Sequence, residues 1–219
     1  IWFGEDGNGV PRIKRFLSEV KQGITPMTIW KHAEVGHSQK ASQDLKKLFD
    51  DNAYFTYPKP VELIKRILEL YTGKDSIILD FFAGSSTTAH AVMQLNAEDD
   101  GNRKFIMVQL PEPTDEKSEA YKAGYINISE IGKERIRRAG EKIKEEKGLE
   151  ALNLDIGFKV LKLDTSNIRK WQPDYDNLEQ SLLDYVDNYV EGRTELDVVY
   201  EIMLKYGLDL TYPVDVFTI

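Results

Sequence analysis

Ile77-Ile78-Leu79-Asp80-Phe81-Phe82-Ala83-Gly84-Ser85-Ser86-Thr87-Thr88-Ala89-His90-Ala91 is the stretch that decides the fold. Its apolar opening reads as a short strand, its small residues as a tight turn, and the run from Thr87 as the start of a helix. An apolar run bounded by a turn suits a strand buried on both faces, as in a parallel sheet. Ala83 and Gly84 let another backbone or a ligand come close. Ser85 or Ser86 is placed to cap the helix, whose first amides otherwise lack partners. A turn at the carboxyl end of a parallel strand is where open α/β sheets hold nucleotide-like ligands.

Working outward, the helix is expected to run to about Leu95 and to end in the polar turn 97–102. Lys104 to Leu110 reads as a second buried strand, so strand, helix and strand form a parallel βαβ unit. Gln109 and Glu112 then lie where such units place a polar group for ribose hydroxyls. Upstream, Pro58 and Pro60 exclude helix as far as Pro60, which is suited to open the next one. That helix is expected to bury Leu63, Ile64, Ile67, Leu68 and Tyr71, to pair Glu62 with Arg66 and Lys65 with Glu69, and to stop at 72–75. Residues 39–49 also read as helix.

Residues 115–147 are charged and helical in pattern, with a stripe of Ile128, Ile131, Ile136, Ala139 and Ile143. Arg135, Arg137 and Arg138 are interleaved with glutamates, the composition of a salt-bridged solvent face. Beyond them, 157–163 reads as a strand, 171–175 as a loop, and two amphipathic helices follow. One carries Leu178, Leu182, Tyr185, Val186 and Tyr189; the other carries Val199, Ile202, Met203 and Tyr206. Residues 210–219 read as a strand, and ending there suggests a cut chain.

The 219 residues are 41% hydrophobic and 30% charged, suited to one good-sized domain with an appendage. No apolar run approaches membrane-span length, no secretory pattern opens the chain, and there is no cysteine. Together these imply no membrane partner and a cytoplasmic location. The net charge of −8 is concentrated in residues 150–219, with 6 Lys and Arg against 14 Asp and Glu. That segment repels phosphate, which directs any nucleic-acid contact toward the amino-terminal side. Arg12, Lys14 and Arg15 suit either phosphate contact or plain surface. His32 and His37, five apart with no third ligand nearby, do not make a metal site.

The turn has one glycine, so it is not the dinucleotide fingerprint, and it lacks the Gly-Lys-Ser/Thr ending of a P-loop. Asp80 repels a pyrophosphate but suits a cofactor that bears an ammonium group, such as S-adenosylmethionine.

Here the residues carry a resemblance. Asp80 to Thr88 resembles motif I of the amino-methyltransferases that modify DNA, Thr56 to Ile64 their motif X, and Phe105 to Glu112 their motif II. The order X, I, II is that of the permuted class. Trp2-Phe3-Gly4, Arg15 to Val20, Val35-Gly36-His37, Ala89-His90-Ala91, Asn102 to Glu112, Tyr121 to Tyr125 and Asn177 to Asp184 extend the likeness. Over nearly the whole chain it is similar to the modification subunit of type III restriction–modification systems.

The resemblance implies an α/β fold with a partial, mostly parallel, Rossmann-like methyltransferase core and an α+β carboxy-terminal appendage. Residues 1–50 would end a target-recognition region, 51–150 would form the cofactor core, and 151–219 would be the acidic appendage. It implies methyl transfer from S-adenosyl-L-methionine to the exocyclic amine of adenine in DNA. The implied cofactor-binding residues are Thr56, Lys59, Pro60, Asp80, Phe82, Ala83, Gly84, Ser85, Thr87, Thr88, Gln109 and Glu112. Implied partners are double-stranded DNA through the full-length protein, a restriction subunit, and a second modification subunit in a homodimer.

Two departures stand out: Ser86 replaces the usual second glycine of motif I, and Gln109 replaces the acid at the end of the second strand. The Asp/Asn-Pro-Pro-Tyr/Phe catalytic loop has no counterpart, since no two prolines are consecutive. The chain therefore reads as a carboxy-terminal fragment, inactive alone, with no catalytic residue of its own. An interaction module built on the acidic region is the alternative, and motif I alone also admits RNA or a small molecule as methyl acceptor.

Overall fold

The computed structural model describes residues 1–219 except 2, 14, 21, 22, 24, 149–153, 216, 218 and 219, and the side chain of Leu17. Trp2 of the opening motif, Lys14 of the basic cluster, the expected domain boundary near 150, and the end of the expected last strand lie outside the described residues. The chain divides into two units, residues 1–156 and 157–219.

In the first unit the helices are α1 (His32–Val35), α2 (Ser38–Leu48), α3 (Val61–Tyr71), α4 (Thr87–Asp99), α5 (Glu119–Lys122) and α6 (Ile128–Lys147). The strands β1 (Ile77–Asp80) and β2 (Lys104–Met107) pair in parallel, Ile77 opposite Lys104 and Asp80 opposite Met107. The expected βαβ unit is thus present, with α4 as its crossover.

Small and branched apolar residues let α4 pack on several sides at once, against α3, α6 and β2. Ala89, Ala91, Val92, Met93 and Leu95 are all buried. Leu68 of α3 joins Ala91, Val92 and Leu95, with Val61, Ile64, Ile78 and Phe105 around them. Each large apolar side chain removed from water there contributes about 1.5–3 kcal/mol. A second cluster gathers Leu45, Phe49, Ala120 and Ile131. Phe49 meets Tyr54 and Tyr125 edge-on at 5.4 and 6.1 Å.

A polar lock ends α4. Asn96 bonds both the N–H and the carbonyl of Arg103, at 3.1 and 2.9 Å. The buried Arg103 guanidinium takes Asp99 in two bonds of 2.9 Å, and its Nε donates to Thr72 Oγ1 at 3.1 Å. Three neighbouring elements, α3, α4 and β2, are fastened at one point.

Several expectations are corrected. Neither strand is buried on both faces: Ile77 and Leu79 are 62% and 58% exposed, and Ile106 and Val108 about half exposed. Helices cover only the Ile78 and Phe105 face, so side-chain alternation leaves the other face bare. Neither Ser85 nor Ser86 caps α4 with its side chain, because Ser86 occupies the cap position in a left-handed conformation and its hydroxyl makes no cap bond. On α3 the buried edge is Val61, Ile64 and Leu68, while Ile67 and Tyr71 are exposed. Its charges pair mostly off the helix: Lys65 with Glu98 at 2.6 Å and Glu62 with Lys40, leaving Arg66 to Glu69 at 3.5 Å. Tertiary neighbours outcompete the weak pairs along one helix.

Arg135 is not on the solvent face of α6; it is 3% exposed. Arg137 and Arg138 do keep the expected arrangement, pairing with Glu134, and Arg138 also with Asp50. His37 does structural work as the cap of α2, its Nδ1 accepting the Lys40 N–H at 3.2 Å.

The second unit contains α7 (Leu178–Asp184) and α8 (Glu195–Lys205). The expected strand at 157–163 does not form, and Leu163 is fully exposed. Residues 210–212 are turn and bend rather than strand. The expected apolar faces are largely exposed: among the described residues of this unit only Val198 and Met203 are buried hydrophobics. Polar bonds shape it instead. Glu201 accepts from Ser166 Oγ and the Asn167 N–H, and Lys159 donates to the carbonyls of Leu210 and Tyr212.

Candidate functional site

The turn between β1 and α4 is a closed hydrogen-bonded loop at the carboxyl ends of both strands. Asp80, the last residue of β1, accepts the Thr88 hydroxyl at 2.6 Å and the Phe82 N–H at 3.1 Å. The strand end is thereby tied to the first turn of the helix. Val108 donates its N–H to the Asp80 carbonyl at 2.8 Å, and the Ala83 N–H returns to the Val108 carbonyl at 3.1 Å. Gln109 Oε1 accepts the Gly84 N–H at 2.7 Å. The Ser86 N–H closes the turn on the Ala83 carbonyl at 2.7 Å.

Two residues of the turn are left-handed, Gly84 at φ +51° and Ser86 at φ +58°. Glycine adopts that conformation freely; for serine it costs about 1–2 kcal/mol. The departure from a second glycine therefore falls where the backbone favours glycine most.

Helix α6 supports the turn from below. A Cβ on Gly132 would stand 2.6 Å from Ser86 Oγ and 3.3 Å from the Gly84 carbonyl oxygen. One turn on, an Arg135 terminal nitrogen donates to Ser85 Oγ at 2.8 Å and Thr87 Oγ1 at 2.7 Å, with the Ser85 carbonyl at 3.4 Å. Burial lowers the Arg135 pKa to about 10, which leaves it protonated at neutral pH. His90, next along α4, has an inaccessible Nδ1 without a partner. Burial first, then the charges of Arg135 and Lys142, lowers its pKa from 6.5 to about 3.

A cleft of about 430 Å³ is lined by Phe55, Thr56 and Tyr57 together with Thr114, Ser118 and Ile131. The Phe55 ring touches the turn, 3.5 Å from where a Gly84 Cβ would be. Phe82 is 84% exposed and its ring leans on Phe81 at 5.1 Å.

The structure brings Asp80, Ala83, Gly84, Thr88 and Gln109 into one bonded loop. Ser85 and Thr87 sit beneath it on Arg135, and Thr56 lines the adjoining cleft. Lys59 instead lines a separate cavity of about 310 Å³ shared by α2, α3, α4 and α6. Pro60 is buried as the N-cap of α3. Glu112 takes the Ile128 N–H on its backbone carbonyl at 3.0 Å, with its side chain in solvent. Phe55, Gly132 and Arg135 were missed by sequence reasoning. The signal for Arg135 was its spacing, four residues after Ile131 and so on the buried stripe.

The βαβ unit and its small-residue turn fit what comparison shows: the chain belongs to the DNA methylase family, which matches residues 8–142. Within it, the chain is 41% identical over 159 residues to the StyLTI Mod subunit, a type III restriction-modification enzyme of Salmonella typhimurium. It is 33% identical over 222 residues to the EcoP15I Mod subunit of Escherichia coli, and 37% identical over 124 residues to the type II methyltransferase M.KpnI of Klebsiella pneumoniae. These matches cover 73%, 98% and 57% of this chain, but 24%, 31% and 29% of the relatives. The chain thus spans about a third or less of their length. Among the described residues no helix is long and apolar enough to cross a membrane.

Proposed function

We propose that this chain supplies the cofactor half of a restriction–modification methyltransferase, whose complete form methylates the exocyclic amine of adenine in double-stranded DNA. The observation that supports this best is the bonded loop Asp80–Thr88 and Gly84–Gln109 at the ends of two parallel strands. S-adenosylmethionine, when bound, supplies a methyl group on a positively charged sulfur. Asp80 keeps acceptor capacity beyond the two bonds it already takes, and attracts the ammonium end. Ala83 and Gly84 let the ligand lie close to backbone, and the exposed Phe82 ring offers an apolar wall. Thr56 borders the ligand from the cleft side. Ser85, Thr87 and Thr88 act through the shape of the turn, their hydroxyls being committed to Arg135 and Asp80. Gln109 retains amide capacity for a ribose hydroxyl, with the free Glu112 carboxylate beside it in sequence. Lys59 lines the separate cavity, so the sequence-based assignment of it to the cofactor carboxylate is not carried into this reading.

On this reading the two strands belong to a larger Rossmann-like sheet, and the bare face of Ile77, Leu79, Ile106 and Val108 supports it. Residues 51–150 are the cofactor core, between a connector at 1–50 and an appendage at 151–219, in a cytoplasmic protein. Without two consecutive prolines the chain has no loop to orient the target amine, so it binds cofactor without turnover. Calorimetric titration with S-adenosylmethionine should give saturable heat, and labelled cofactor with DNA should give no transfer. No heat at millimolar cofactor sinks the proposal. A second reading, docking to a restriction subunit or a second copy, draws support from residues 157–219, which expose Leu182, Leu183, Val186 and Tyr206.

A further inference from the structure

Helix α6 contributes a charged group to the turn that no cofactor contact requires. We propose that Arg135 is a positioning residue, a clamp that holds the turn 84–87 in its ligand-ready shape from beneath. The inference rests on the cofactor reading of that turn.

Three observations carry it. The first is burial without a bonded acid: Arg135 is 3% exposed and borders the 310 Å³ cavity, yet its hydrogen-bond partners are two hydroxyls and a carbonyl, and its buried Nε has none. An enclosed cation without a carboxylate is unfavourable, and the same helix shows the cheaper solution at Arg137 and Arg138, both paired to Glu134. The second is where the bonds fall. One nitrogen holds Ser85 and Thr87, the residues on either side of the left-handed Ser86. Serine left to itself relaxes out of that conformation, and holding both neighbours opposes the relaxation. The third is Gly132, one turn earlier on α6, where any Cβ would strike Ser86. Gly132 permits the approach and Arg135 fastens it. A planar guanidinium suits this task, whereas a lysine ammonium on its flexible stem offers no fixed plane.

The test uses the 219-residue chain with Arg135→Met and Arg135→Lys, read by amide hydrogen exchange without cofactor and by calorimetric titration with S-adenosylmethionine. Arg135→Met should speed exchange at residues 86–90 on the order of tenfold while amides of α3 and β2 stay unchanged. Its cofactor affinity should fall on the order of tenfold, although its thermal midpoint holds or rises because an unpaired buried charge is gone. Arg135→Lys should lie between. A lower midpoint with wild-type affinity would mark Arg135 as merely structural and overturn the inference. So would unchanged exchange in the turn. If Arg135→Met does not fold, Arg135→Lys decides by the same two readouts. If the wild-type chain binds no cofactor, the proposed function falls, and exchange alone upholds or overturns the clamp.

Discussion

Acid should destabilise this fold through His90, and replacing that residue should remove the effect. Burial, then the positive charges of Arg135 and Lys142, lowers the imidazole pKa from 6.5 to about 3. The unfolded chain binds a proton at 6.5 and the folded chain does not. A depressed folded pKa gives stability that is complete above pH 6.5 and is lost as pH falls toward 3. At pH 5 the gap is about 1.5 units, and at about 1.36 kcal/mol per unit the ceiling is about 2 kcal/mol. His90 also borders the 310 Å³ cavity and is not fully buried, so water there offsets part of the cost. The expected loss between pH 7.5 and pH 5 is therefore about 1–2 kcal/mol from this group. His90→Leu, similar in size and unable to take a proton, should show that much less acid sensitivity. The assay is urea unfolding of both proteins at the two pH values. Equal pH dependence in wild type and variant would refute the reasoning.

Arg103→Ala should cost about 2–3 kcal/mol in thermal denaturation, the loss of a bidentate pair whose other member, Asp99, is partly exposed and can rehydrate. Arg103 also holds the Asp99 pKa below its ordinary 3.8, so the pair's contribution is present above that value and lost as pH falls below it. Gly84→Ala should cost about 1–2 kcal/mol through its left-handed backbone alone, since the added carbon meets Phe55 at an ordinary 3.5 Å. A chemical unfolding midpoint equal to wild type would contradict this. Gly132→Ala sets a helix-propensity gain of about 1 kcal/mol against overpacking of about 1–3 kcal/mol. The net should be a small loss of stability with weaker cofactor binding, checked by calorimetry.

The βαβ unit was legible because its signals are local. Ile77 to Leu79, the small turn and the second apolar run each declare themselves within a few residues, and their order implies parallel pairing. The limits of α3 were equally local, read from Pro60 and from the polar stop after Tyr71. Less was legible in residues 157–219, where apolar residues recur at strand and helix spacing without a core to receive them. Periodicity there located α7 and α8, although α7 ends at Asp184, short of the expected Tyr185, Val186 and Tyr189, and it misjudged which faces are buried; the expected strand at 157–163 does not form.

By itself the sequence determined the order of elements from α2 to β2, the position of the turn, and the residue types by which Asp80 to Thr88 resembles a methylase turn. Those follow from short-range sterics and hydrogen bonding, which a linear chain carries in full. Only the tertiary structure decided that Gln109 spends its carbonyl on Gly84, that Lys59 faces another cavity, and that Arg135 leaves the solvent face to grip Ser85 and Thr87. The Gln109 and Arg135 bonds join residues 25 to 50 apart in sequence. Which charged residue of a helix turns inward is settled by the partners that packing brings within reach.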